Sequence, residues 1–227
     1  GIELYEILYD SAQIKQYSNK IRDNRWLNIY NSAIYFSDTT NFYHKSKLVV
    51  GVEKMPYRKI LEPILGQVLL DFGGSTKTRG FQEKRSVFKS QNYNISPIIC
   101  YESIYGEYLT DYIKNGGKAL AIITNDAWWG NTEGHRQHFS YAKLRAVETR
   151  KNIIRSANTG ISGIISSRGD EIIRTNYNEE SIISANYKEN DIVTIYVQFG
   201  DYIYRISLFI LIIICSYYLS LKIKGKK

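Results

Sequence analysis

The sequence predicts a layered α/β domain followed by a single membrane-crossing helix, and three observations carry that expectation. Short runs of β-branched, aliphatic and aromatic residues alternate with amphipathic stretches along most of the chain. The 227 residues are 44% apolar, which suits one substantial core better than two. Residues 206–221, ISLFILIIICSYYLSL, hold no charge. The expected organisation is a domain over 1–201, a membrane helix over 202–221 and a basic tail over 222–227.

Taken in order, Leu4 to Asp23 reads as a helix with Ile7, Leu8, Ile14 and Ile21 facing the core, and Trp26 to Phe36 as a strand. A second strand ends near Tyr43–Lys45 and gives way to an irregular loop through Met55-Pro56. Ser86 to Cys100 suggests a hairpin turning at Gln91–Asn92, with Ile95 to Cys100 as its buried strand. Ile104 to Lys114 is expected to be helical, with Gly116-Gly117 ending it. ALAIIT, residues 119–124, is a short buried strand, and His135 to Arg150 has helical spacing with Phe139, Ala142, Ala146 and Val147 inward. Ile153 to Asn158 and Ile161 to Ser166 read as strands, with a turn at 167–170 leading into 171–174. Asp191 to Val197 is the last expected strand.

Ten of the sixteen residues 206–221 are Ile, Leu or Phe, each favouring insertion by roughly 0.3–0.6 kcal/mol at a helix centre. Tyr202 and Tyr204 suit an interfacial anchor, and Arg205 can snorkel. A buried core helix is the competing reading of this segment. The flank KIKGKK favours the membrane and places the tail on the cytoplasmic side, with the domain outside. The opening GIELYEILYD lacks both an initiator Met and a signal peptide, so upstream membrane segments are expected.

The net charge of +8 has a local source: Lys222, Lys224, Lys226 and Lys227 supply four units, leaving +4 for the rest. No arginine cluster or RNA-binding aromatic signature accompanies it, which argues against a nucleic-acid partner and for anionic lipid headgroups. Cys100 and Cys215 lie far apart in unlike surroundings, so a structural disulfide is not expected. His44, His135 and His138 lack the spacing of a metal site, and no serine-hydrolase elbow, phosphate loop or dinucleotide fingerprint is present.

Three segments could carry chemistry. In SPIICYES a strand ends on Cys100 and a helix follows, a geometry that offers the thiol and the Tyr101 N–H to an acyl carbon. A buried small hydrophobe is the plainer reading of such a cysteine. In FYHKSKLVVGVEKMP, residues 42–56, Lys45 and Glu53 would ordinarily be solvated, but the apolar residues between them should pack the loop down. In TNDAWWGNTEGHRQH, residues 124–138, Trp128 and Trp129 sit on a loop after a strand, where binding residues concentrate; one of them could instead cap the core.

Together and in this order, these segments resemble the nitrilase superfamily and, within it, the apolipoprotein N-acyltransferases. The loop pattern Tyr-x-Lys-x-x-Leu-Val matches Tyr43, Lys45, Leu48 and Val49, with Glu53 beyond it. Cys-Tyr-Glu matches Cys100, Tyr101 and Glu102, and Asn-Asp-Ala-Trp matches Asn125 to Trp128. Segment 136–162 and the terminal apolar helix follow the family as well. Val50 stands where the family has Pro, and Gly51-Val52 where Phe-Gly is common.

The resemblance implies an α-β-β-α sandwich ahead of the membrane helix and a Glu-Lys-Cys triad without cofactor or metal. Cys100 would take an acyl chain from the sn-1 ester of a phospholipid and pass it to the N-terminal diacylglyceryl-cysteine of an apolipoprotein. Lys45 would stabilise the oxyanion, Glu53 and Glu102 would orient it or the thiol, and Tyr101, Trp128 and Trp129 would meet substrate. Glu3 and Glu6 do not stand in the context of the family's base, which is expected upstream of Gly1, leaving residues 1–227 inactive alone. A membrane-anchored amidase and an inactive nitrilase-like scaffold are the alternatives.

Overall fold

The computed structural model describes residues 1–22, 24–54, 78–90 and 93–224. Its first sheet contains β1 (Ile2–Leu8), β2 (Asn19–Arg22), β3 (Arg25–Tyr35) and β4 (Asn41–His44). The long β3 is the hub, pairing antiparallel with all three of the others, with Leu4 opposite Tyr30 and Ala33 opposite Tyr43.

The second sheet has six strands: β5 (Phe88–Lys89), β6 (Asn94–Ile99), β7 (Ala119–Thr124), β8 (Asn152–Ala157), β9 (Gly163–Ile165) and β10 (Glu171–Arg174). They lie in the order β10-β9-β8-β7-β6-β5, and the central β6, β7 and β8 are parallel. Parallel neighbours require crossovers. Helix α1 (Gly106–Lys114) carries the chain from β6 to β7, and α2 (Glu133–Thr149) from β7 to β8. Strands covered on both faces read as continuous apolar runs, which is why SPII and ALAIIT stand out in the sequence. One core joins the layers: Ala33 and Tyr43 from the first sheet, Ile98 and Ile122 from the second, Leu109 and Ala142 from the helices.

Several expectations are overturned. Leu4 to Asp23 is not a helix but β1, a short 3-10 turn at Ser11–Gln13 capped by Asp10, and β2. Of its proposed core residues only Leu8 is buried, while Ile7, Ile14 and Ile21 are exposed. IELYEIL pairs along β3, and that tertiary ladder outweighs helical spacing in so short a segment. Asp191 to Val197 is not a strand either. Thr194 accepts a hydrogen bond from the Val197 N–H at 3.1 Å and starts helix α3 (Ile195–Phe199), whose Val197 is fully buried. Val147 is exposed because the buried face of α2 runs through His138, Phe139, Ala142, Ala146 and Thr149. The loop at Met55-Pro56, the turn at Gln91–Asn92 and the ends of the basic tail lie outside the described residues.

Helix α4 (Tyr202–Lys224) is long and apolar enough to cross a membrane, with mean hydropathy 2.1 and 0% of its span buried against the domain. Among the described residues of this chain, the helix packs against no other element of the domain core. Gly200, at φ +68, turns the chain between α3 and α4. At the base of α4, Arg205 bonds both the Phe199 carbonyl and the Glu107 carboxylate on α1.

Candidate active site

The first wall of the site is the loop after β4. The Lys45 N–H continues the β3–β4 pairing by donating to the Asn31 carbonyl at 2.7 Å. Its side chain is 2% exposed, and Nζ donates to both oxygens of Glu53, at 2.8 and 3.0 Å. Glu53 also accepts from the Val49 N–H at 2.8 Å and from the Asn31 amide. A buried ammonium survives only if its charge is matched and its hydrogen bonds are made. The loop is short because Gly51 takes φ +87, a conformation open to glycine, and donates to the Lys54 carbonyl. The departure from the family pattern at residues 50–52 therefore builds a tight turn that still delivers Glu53 to Lys45.

The second wall is the end of β6. Cys100 has φ +51, uncommon for a residue with a side chain, and it opens a 3-10 turn over Cys100–Ile104. The half-buried thiol is not sealed in the core. Helix α1 begins at Gly106 rather than at the expected Ile104, and the 3-10 turn lies between it and β6.

Glu102 fastens the two walls together. Its Oε1 accepts from the Ser46 N–H at 2.6 Å, the Lys47 N–H at 3.2 Å, Tyr43 Oη at 2.6 Å and Tyr108 Oη at 2.8 Å; Oε2 accepts from the Ile99 N–H at 2.8 Å. The carboxylate thus grips the amide just before the Cys100 turn and the two amides just past Lys45. Burial pushes its carboxyl above the ordinary value, opposed by the Tyr43, Ile99, Ser46 and Tyr108 donors. Tyr43 and Tyr108 are pushed up in turn, by burial first and by Glu102 next.

The tryptophan loop lies at the carboxyl end of β7. Trp128 is 60% exposed; Trp129 is partly covered and lies over Gly134 and against the His138 ring, 5.2 Å between ring centroids. Tyr101 meets Tyr105 edge-on at 5.4 Å. Lys47 reaches over Tyr105 and Tyr108, and a groove of about 570 Å³ extends from these residues to Asp201 at the foot of α4.

Sequence reasoning missed a fully buried cluster behind this loop. Asp126 accepts from Arg155 Nη2 at 2.7 Å and from Thr124 Oγ1 at 2.9 Å, and it bonds His138 Nδ1 at 2.8 Å. Burial alone would raise its carboxyl, but the His138 bond and the Arg155 charge hold it below its ordinary value. His135, by contrast, bonds the Gly130 carbonyl and stacks on Tyr177. Among the described residues no group of three or more His, Cys, Asp or Glu side chains is arranged to hold a metal.

A thiol on a left-handed turn, a buried lysine–carboxylate pair and a glutamate joining them, set on two sheets, form a candidate cysteine site on a nitrilase-type fold. The carbon-nitrogen hydrolase family model matches residues 14–195, and the chain belongs to that family. The chain is 34% identical over 206 residues to an apolipoprotein N-acyltransferase of Wigglesworthia glossinidia brevipalpis, covering 86% of this chain and 40% of that protein. It is also 34% identical over 203 residues to the apolipoprotein N-acyltransferase of Rickettsia prowazekii, covering 84% and 38%. The chain thus spans about two fifths of the length of these relatives. Among solved structures, Nit3 of Saccharomyces cerevisiae, a nitrilase-superfamily protein, shares the fold with a TM-score of 0.50 and 18% identity, over 67% of this chain and 51% of that one.

Proposed function

We propose that this chain is the acyl-carrying part of an apolipoprotein N-acyltransferase in a bacterial cytoplasmic membrane. The observation that supports this most is the Glu102 grip, which draws the Lys45 loop to the Cys100 turn in a chain that ends in a bilayer-length helix. The domain occupies the outer face and residues 222–227 the cytoplasm.

The Cys100 thiolate attacks the sn-1 ester carbonyl of a phospholipid; a C–S bond forms, the ester C–O bond breaks, and the lysophospholipid leaves after taking a proton. The α-amine of a diacylglyceryl-cysteine then attacks the thioester; a C–N bond forms, the C–S bond breaks, the thiolate returns, and the amine gives up the proton that the first half consumed. Lys45 and the Tyr101 N–H meet the oxyanion in both halves. Glu53 keeps the Lys45 ammonium in place, and Glu102 sets the distance between the two loops. Both carboxylates are taken up by donors, so neither is assigned as the base that receives the thiol proton. Trp128 and Trp129 contact acyl chains.

Incubation of the membrane-extracted protein with phosphatidylethanolamine and intact-mass measurement tests the reading. An acyl adduct on the wild type that is absent from Cys100→Ser is the expected result. No adduct with any phospholipid, together with release of ammonia from small amides, would instead favour an anchored amidase.

A further inference from the structure

We infer that His138, held by Asp126 and Arg155, is a positioning residue for the Cys100 thiol; the inference rests on Cys100 being the nucleophile. The need for one is visible at the turn. A left-handed conformation is disfavoured at a residue with a side chain, so something must hold Cys100 at φ +51. Its carbonyl oxygen carries that restraint. Ser103 Oγ donates to it at 2.9 Å, and His138 Nε2 lies 3.0 Å from the same Ser103 oxygen and 3.4 Å from the carbonyl.

The other edge of the ring is fixed just as firmly. Nδ1 bonds Asp126 Oδ1, Asp126 Oδ2 takes Arg155, and Arg155 Nη1 donates to the Ile161 carbonyl at 3.0 Å. Asp126, His138 and Arg155 are 0%, 2% and 1% exposed. The charged groups bonded to the ring are Asp126, from the end of β7, and Arg155, from β8; Glu102, two residues beyond the cysteine, is engaged elsewhere. Gly160, at φ +129, leaves room for the carboxylate, since a Cβ there would lie 2.8 Å from Asp126 Oδ2.

The ring can restrain the turn in one direction of hydrogen bonding and release it in the other. Ser103 has a single hydroxyl hydrogen. With a proton on Nε2, the ring donates to Ser103 Oγ and the hydroxyl donates onward to the Cys100 carbonyl. With Nε2 bare, the hydroxyl turns back to the ring and the carbonyl loses its donor. The turn that aims the sulfur is therefore set by the state of a side chain that never touches substrate. Trp129, lying against the same ring, connects this restraint to the exposed loop.

The test reads the thiol directly. In a Cys215→Ser background of the full chain, the alkylation rate of Cys100 by iodoacetamide is followed by intact mass from about pH 6 to pH 9. His138→Gln is expected to slow alkylation about tenfold, because an amide cannot span the distance between Asp126 and Ser103 as the ring does, whereas Ser103→Thr, which keeps the hydroxyl, should retain the wild-type rate. Ser103→Ala, which leaves the buried cluster whole, should slow it about threefold. Wild-type rates in both His138→Gln and Ser103→Ala, with an unchanged circular dichroism spectrum, would overturn the inference. Should His138→Gln fail to fold, Ser103→Ala decides alone: a wild-type rate overturns the inference and a slowed one supports it. Alkylation needs no lipid, so a protein that shows these losses but never gains an acyl adduct removes the acyltransferase reading and leaves the role of His138 standing.

Discussion

The interior of the domain and the surface of its terminal helix invert each other. Inside, Lys45, Glu102, Asp126 and Arg155 are withdrawn from solvent and bonded to partners, with Arg155 Nε the one atom among them left without one. Along α4, by contrast, Phe209, Ile212 and Leu219 are more than half exposed. Charge inside persists only where hydrogen bonds replace water, whereas aliphatic surface outside persists only where the surroundings are not water. The candidate site lies in the first region, and a groove that starts beside it at Lys47 runs to Asp201 at the foot of the second.

The sharpest way to break that comparison is to leave one interior charge unmatched. Asp126→Ala strips Arg155 and His138 of their shared acceptor and should destabilise the domain by about 3–5 kcal/mol, measured by urea unfolding. A loss near zero would mean that the cluster is not paying its own way in burial. Phe209→Asp is the complementary change: it should disfavour membrane insertion by about 2.5–3.5 kcal/mol while leaving the domain's urea midpoint in detergent unaltered. A shifted midpoint would show that α4 packs on the domain. Glu102→Gln places an NH2 group among hydroxyl and amide donors, and we expect about 1–3 kcal/mol of lost stability with a larger proportional loss of acyl adduct.

Acid sharpens the contrast further. The Asp126 carboxyl is held below its ordinary 3.8, so its contribution to stability is complete above that pH and is lost as pH falls through and beneath it. Unfolding midpoints measured downward from neutral pH should decline less steeply below pH 3.8 in Asp126→Asn than in the wild type. Smallest of all, Val147→Lys on the exposed face of α2 should alter stability by no more than about 0.5 kcal/mol.

Much of this was legible in the residues themselves. ALAIIT and the segment before Cys100 declared buried strands because parallel strands covered on both faces need uninterrupted apolar sequence. Cys100, Lys45, Glu53 and Glu102 stand out as candidates through their order along the chain, but their mutual arrangement does not. Nothing local announces that Glu102 will bond the amides of residues 46 and 47, since that contact exists only once two loops from separate sheets meet. The β1–β2 region was misread as a helix because its partner, β3, follows it in sequence and supplies the pairing. His138 was weighed only as a metal ligand; its place on one helical face with Phe139 and Ala142 was the available signal that it is buried and therefore bonded.

The link between Arg205 and Glu107 ties the first turn of α4 to the first turn of α1, a few residues beyond the Cys100 turn. A helix immersed in a bilayer takes its depth and tilt from the lipid. On the proposed reading, that ion pair would couple the depth of α4 to the position of the Cys100 turn, so hydrocarbon thickness would limit which ester bonds reach the sulfur.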